Sequence, residues 1–145
     1  DFLKPGDMPA RIRAYCERTG QPSPQSIGEF VRCALEGIAL KYRYVLERLE
    51  EMVGHRLEPI HIVGGGTKNR LLSQFTADAT NRHVVTGPIE ATAIGNLMAQ
   101  AIALGHIGTI DDARAIIANS FELCAFEPGQ RAGWDDAYAR LLKLI

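Results

Sequence analysis

The sequence predicts an α/β fold, rich in helix and built round two or three parallel strands. Three observations lead there. Residues 60–104 read as strand, helix, strand, helix, an order that places the strands parallel and joins them by a crossover. Ile60-His61-Ile62-Val63 is a short apolar run between Pro59 and the triple glycine Gly64-Gly65-Gly66, as expected of a strand covered on its faces. Upstream, apolar residues recur at three- and four-residue steps from Ile27 to Val53, the pattern of a long amphipathic helix.

Each element has a local reason. Pro5-Gly6 makes a turn, and Asp7 caps a helix starting near Met8-Pro9, with proline tolerated in the first turn. Ile12, Tyr15 and Cys16 share one side of that helix, which ends at Thr19-Gly20. After the connector Gln21-Pro22-Ser23-Pro24, a long helix is predicted from about Pro24 to Val53, with Ser23 as its cap and Gly54 as its close. Its apolar face includes Phe30, Ala34, Leu35, Tyr42, Val45, Leu49 and Met52. Beyond the glycines, a helix from about Lys68 to Thr80 buries Leu71, Leu72, Phe75 and Ala79. A second strand, His83 to Thr86, stops at Gly87-Pro88, and another helix runs from near Glu90 to Gly105. Glu90 in its first turn suits the helix dipole, and Ala91, Ala93 and Gly95 suggest close packing. Thr109-x-x-Asp112 has the form of a capping box, opening a helix through about Asn119. Phe121 to Phe126 reads as a short extended segment. A final helix carries Trp134, Ala137, Tyr138, Leu141, Leu142 and Ile145 on one stripe, with Trp134 a packing anchor.

Two predicted strands do not make an independently stable sheet. The remaining strands are expected from sequence beyond this chain or from a partner. The start Asp1-Phe2-Leu3-Lys4, without methionine, likewise reads as part of something longer.

Chemistry concentrates at the triple glycine. Three successive residues without Cβ let the backbone adopt positive φ and let a ligand approach the main chain. The first N–H groups of the following helix lack intrahelical partners and favour an anion such as phosphate. Strand, glycine turn and helix start therefore suggest an anionic nucleotide, with a purely structural turn as the alternative. A P-loop is absent, and G-x-G-x-x-G matches at Gly64 and Gly66 but fails where Asn69 stands in place of the third glycine. Asn69 offers a donor and an acceptor to a nucleotide or to the turn itself.

Bulk properties narrow the class. The chain has 145 residues, enough for one domain with a core, and is 46% hydrophobic and 23% charged, as in globular proteins. A net charge of −1 without a basic run leaves no electrostatic footprint for nucleic acid. No apolar stretch has the length of a membrane span and no secretory signal is present, so a cytoplasmic location and no membrane partner are expected. His55, His61, His83 and His106 are scattered, and Cys16, Cys33 and Cys124 lack metal spacing, so no metal site is read from them. The cysteines read as core residues. Cys16 and Cys33, on consecutive helices joined by a turn, are also candidates for a disulfide.

The run Gly64-Gly65-Gly66-Thr67-Lys68-Asn69-Arg70-Leu71-Leu72-Ser73-Gln74-Phe75-Thr76-Ala77-Asp78, followed by Thr86-Gly87-Pro88-Ile89-Glu90-Ala91-Thr92-Ala93-Ile94-Gly95-Asn96, resembles the C-terminal signature of the FGGY carbohydrate kinases. Similar patterns within that family recur at Pro5-Gly6-Asp7-Met8-Pro9, Thr19-Gly20-Gln21 and Ala39-Leu40-Lys41-Tyr42-Arg43. The resemblance implies part of the C-terminal lobe of an actin-like, ribonuclease H-like ATPase, with residues 1–145 as the nucleotide-binding part of the second domain. It implies ATP with Mg2+ as cofactors and transfer of the γ-phosphoryl group to a sugar hydroxyl. Gly64, Gly65 and Gly66 would lie against the phosphates and ribose, Gly65 foremost, and Asn69 on the adenine side. The family's catalytic aspartate and sugar contacts belong upstream. Asp7, Asp78 and Asp111 are therefore not assigned to catalysis, and this piece alone is expected to be inactive. Two other readings stay open: a nucleotide-switched actin- or chaperone-like ATPase lobe, and a helical binding module with a structural glycine turn. Within the family, xylulose, fuculose and glycerol kinase activities stay open as well, because sugar preference is set upstream.

Overall fold

Local capping chemistry decides where most helices of this chain begin, and the computed structural model, which describes Phe2 and residues 5–129 and 131–145, shows it directly. Two units are distinguished, Asp1–Ile38 and Ala39–Ile145, with the boundary inside the longest helix.

In the first unit, α1 spans Met8–Arg18, and the Asp7 Oδ1 accepts the Ala10 N–H at 3.0 Å. Helix α2 spans Ile27–Val53 and starts later than predicted. Its cap is Ser26, whose Oγ accepts the Glu29 N–H at 3.2 Å while Glu29 Oε2 accepts from the Ser26 and Gln25 N–H groups. A carboxylate at the third helical position makes the reciprocal bond, which Ser23 has no partner to make. Ser23 Oγ is instead buried without a hydrogen-bond partner among the described residues. Cys16 and Cys33 are free thiols, as is Cys124, so the candidate disulfide is not formed. Burial pushes the Cys33 thiol above its ordinary value, with Cys16 and Glu36 nearby adding to the rise.

The second unit holds the sheet. Strand β1 (Ile60–Ile62) pairs in parallel with β2 (Val84–Thr86), as predicted. The third strand, β3 (Cys124–Phe126), comes from the chain itself and runs antiparallel to β2, giving the order β1-β2-β3. This departs from an all-parallel sheet. The two helices between β2 and β3 bring the chain back to the same end of the sheet that it left, so that Cys124 lies beside Thr86. Those helices are α4 (Ala91–Ala103) and α5 (Ile110–Ser120). The predicted capping box of α5 is formed by Thr109 and Asp112.

Helix α3 (Arg70–Thr80) packs on the sheet, where Ala77, Val84 and Phe126 form a core flanked by Ile60, Ile62 and Cys124. Its buried face is more polar than predicted: Ser73, Thr76, Asp78 and Thr80 are buried, whereas Leu71 is exposed. The hydroxyls of Ser73, Thr76 and Thr80 donate back to carbonyls one turn earlier at 2.6–3.2 Å, so their burial leaves no donor unpaired. Asp78 Oδ1 accepts from Gln74 Nε2 and from the Gly129 N–H, pinning the segment after β3 to α3. Helix α6 (Trp134–Leu142) packs Trp134 edge-on against Phe75 with ring centroids 5.4 Å apart, the anchoring role predicted for it. Tyr138 donates to Glu47 at 2.5 Å, and Arg43 pairs with Asp135 at 2.7 Å.

One ion pair joins three segments. Arg82 Nη2 reaches both oxygens of Glu50 at 2.8 and 2.9 Å, and Glu50 also accepts the Leu57 N–H. Arg82 Nη1 meanwhile donates to the carbonyls of Thr80 and Asn81. The end of α2, the approach to β1 and the α3–β2 loop thus converge on one carboxylate. Hydrogen bonding from Arg82, then from Leu57, holds the Glu50 carboxyl below its ordinary 4.5. A depressed folded value means that this contribution is complete above about pH 4.5 and is lost as the pH falls through the folded value. Glu50→Gln is therefore expected to cost about 1–3 kcal/mol in urea unfolding at pH 7. The gap between variant and parent should shrink at pH 3.

Candidate functional site

The site is built where β1 and β2 end. Gly64 opens the turn with φ +81, a left-handed conformation that glycine adopts without strain, and its N–H donates to the Pro88 carbonyl at 3.1 Å. Across from it, the Gly87 N–H donates to the Ile62 carbonyl at 2.7 Å. A Cβ on Gly87 would stand 2.9 Å from Val63 Cγ1, so the two loops approach this closely because residue 87 lacks a side chain. The carboxyl ends of both parallel strands are thereby held together.

Between them, Gly64–Lys68 forms a 3-10 helix rather than the first turn of α3. Three glycines accept the tighter winding, and Thr67 Oγ1 fastens it by donating to the Gly64 carbonyl at 2.8 Å. Asn69 then breaks the path with φ −90 and ψ 82, and its Oδ1 caps α3 by accepting the Leu72 N–H at 3.0 Å. The predicted helix start near Lys68 is thus split in two, and α3 supplies its own cap. The open element is the main chain of Gly65 and Gly66, both exposed. Nothing lies within 4 Å of the position a Gly65 Cβ would take, whereas a Gly66 Cβ would make ordinary contact with Ile62 at 3.8 Å.

The four predicted residues are therefore gathered in one turn. Gly64 and Gly66 shape it, Gly65 presents bare backbone, and Asn69 serves as a cap while its amide donors keep no protein partner among the described residues. Beside them lies a cavity of about 620 Å3 that sequence reading did not find. Thr67, Lys68 and Arg70 line one side, residues 86–90 and Ile94 another, and Phe121, Glu122 and Cys124 the third. Phe121 and its neighbours had a readable signal, an extended run, but nothing local showed that β3 would bring them next to the glycine turn. The volume is within the range of small-molecule sites, and the position, outside the carboxyl ends of parallel strands, is where open α/β sheets bind ligands. Among the described residues no group of three or more His, Cys, Asp or Glu is placed to hold a metal ion.

The geometry sets the expected cost of two substitutions. Gly64→Ala forces a Cβ onto a left-handed residue and is expected to destabilise by about 1–2 kcal/mol. Asn69→Ala removes the cap of α3, at about 1 kcal/mol. Thermal unfolding of each variant against the parent measures both, and an Asn69→Asp variant should retain most of the cap.

Comparison with known proteins gives this site its context. The C-terminal domain of the FGGY family of carbohydrate kinases matches residues 1–104. Rhamnulokinase of Bacteroides thetaiotaomicron is 47% identical over 137 residues, which cover 94% of this chain and 28% of that protein. Rhamnulokinase of Halalkalibacterium halodurans is 42% identical over 130 residues, covering 90% of this chain and again 28% of the relative. The chain thus spans little more than a quarter of the length of these curated relatives. In fold it is similar to the crystal structure of Plasmodium falciparum glycerol kinase with ADP, with a TM-score of 0.69 and 18% identity over 99% of this chain and 34% of that one. A glycine turn at the end of a parallel strand pair, within a stretch that the family's C-terminal domain covers through residue 104, leads to one conclusion: the chain belongs to the FGGY family of carbohydrate kinases.

Proposed function

We propose that this chain is the ATP-binding segment of an L-rhamnulose kinase, which transfers the γ-phosphoryl group of MgATP to the 1-hydroxyl of L-rhamnulose and yields L-rhamnulose 1-phosphate. The observation that carries the nucleotide reading is the bare, exposed main chain at Gly65, with no protein atom within 4 Å of where its Cβ would be. The sugar is inferred from the relatives, rhamnulokinases 47% and 42% identical to this chain.

Bound ATP supplies the phosphoryl group; the residues here bind and orient. Gly65 and Gly66 allow the phosphates and ribose to come against the backbone, where a side chain would hold them off. Gly64 and Gly87 keep that backbone rigid through their bonds to Pro88 and Ile62. The free amide donors of Asn69 are assigned to the adenine on the family resemblance. Catalysis in such a site is largely positioning and charge stabilisation. The acids of this chain have other tasks: Asp7 caps α1, Asp78 accepts from Gly129 and Gln74, and Asp111 pairs with Arg114. The catalytic base and the sugar contacts are accordingly assigned to the rest of the enzyme, and this segment alone is expected to be inactive. Mg2+ is expected to arrive with the triphosphate, and no carboxylate described here is assigned to it. A cytoplasmic location is proposed as well; three free thiols support it, and no described helix is long and apolar enough to cross a membrane.

In the complete enzyme, Gly65→Val is expected to raise the KM for ATP at least about tenfold, on the order of 1.4 kcal/mol. Unchanged ATP kinetics would count against the nucleotide assignment. A coupled assay of the complete enzyme should show ATP consumption that depends on L-rhamnulose. Turnover indifferent to the sugar would point instead to a nucleotide-switched ATPase lobe.

A further inference from the structure

We propose that Lys68 is the side chain through which this site grips the phosphate chain of its nucleotide, and that the cavity beside the glycine turn receives that nucleotide. The inference rests on the nucleotide reading above and deepens it. Charge partners single Lys68 out. Four charged side chains line the cavity: Lys68, Arg70, Glu90 and Glu122. Arg70 is engaged, with Nη1 3.7 Å from Cys124 Sγ and its guanidinium 5.4 Å from the centre of the Phe126 ring. Lys68 makes no ion pair, hydrogen bond or ring contact among the described residues. Elsewhere in the same unit Arg43, Arg56, Arg82, Arg114 and Arg131 each hold a carboxylate at 2.7–3.2 Å. Of the two cations lining the cavity, Lys68 alone is without a partner among the described residues.

Position and chemistry agree. Lys68 is the last residue of the 3-10 helix that displays Gly65 and Gly66, so it is fixed to the same rigid turn. Its ammonium is a compact point charge on a flexible stem, suited to following a phosphate group rather than clamping it in one plane. Glu90 and Glu122 are also unpaired among the described residues. Carboxylates repel a bare inorganic anion but accept hydrogen bonds from hydroxyl and amine groups. The lining therefore suits a ligand that is anionic at one end and rich in such donors at the other, as a nucleotide is. Ile89, Ile94 and Phe121 add apolar surface for a planar base.

The test uses the complete enzyme. Steady-state kinetics are measured for Lys68→Met, Lys68→Gln and Lys68→Arg, and protection of Cys124 from iodoacetamide is followed by peptide mapping with ADP or adenosine present. Both neutral variants are expected to raise the KM for ATP, and the ADP concentration giving half-protection, about fivefold or more. Their kcat should stay within about twofold and their KM for L-rhamnulose should not move, as expected when ground-state and transition-state binding fall together. Lys68→Arg should restore ATP binding to within about twofold, because the charge is kept. Adenosine should protect Cys124 equally in all four proteins. The proposal is overturned if both neutral variants match the parent, if adenosine protection falls as much as ADP protection, or if no nucleotide shields Cys124. A Gly65→Val effect on ATP alongside silent Lys68 variants would remove Lys68 and leave the nucleotide reading standing; silence at both positions would remove both.

Discussion

Two main-chain hydrogen bonds beyond the strand ends hold the functional region in shape. Gly87 N–H to Ile62 carbonyl and Gly64 N–H to Pro88 carbonyl extend the pairing of β1 and β2 after the regular ladder has stopped. Parallel strands diverge once their ladder ends, unless something holds the following loops together. Here glycine does so twice for different reasons: residue 87 must leave room for Val63, and residue 64 must turn left-handed. The Gly65–Gly66 backbone and the cavity wall at residues 86–90 owe their relative positions to these bonds.

A three-stranded sheet of three-residue strands has little cohesion by itself, so support comes from outside it. Helix α3 gives most of it, with a face on which small, back-bonded hydroxyl residues replace the larger apolar ones that periodicity favours. Thr76 and Ala77, with almost no exposed surface, let the helix lie close to Val84. The remaining support is electrostatic. Glu50 gathers Arg82 and Leu57, and Glu47 and Asp135 tie α6 to α2 through Tyr138 and Arg43. Burial and the bond to Glu47 raise the Tyr138 hydroxyl to about 12, so at neutral pH it remains a donor to that carboxylate.

Helix α2 shows what apolar periodicity reports. Its repeat marks one side of the helix correctly as apolar, yet within α2 only Ala39 and Leu40 are buried, and Val45, Leu49 and Met52 are exposed. Periodicity identifies a face that is suited to burial; contact with another surface is a separate fact. Helix α4 repeats the point, since it is strongly apolar in sequence and has no buried residue.

The sequence by itself determined most elements and several of their ends, because these depend on chemistry within a few residues. The starts of α2, moved from Ser23 to Ser26, and of α3, set back to Asn69 by the 3-10 turn, were not among them. Asp7, Thr109 and Asp112 cap the helices they were expected to cap, the glycine turn follows β1, and the E-A-T-A helix follows β2. Family membership was legible for the same reason, as the matching residues are contiguous. Only the tertiary structure decided that β3 runs antiparallel beside β2, because strand direction follows from how a long connection returns, and no residue near Cys124 encodes that. It also decided that the Asn69 side-chain oxygen serves α3, where a sequence motif permits either the turn or a ligand. The cavity exists for the same physical reason: pairing between residues far apart in the chain brings Phe121, Glu122 and Cys124 to the cavity that Lys68 also lines.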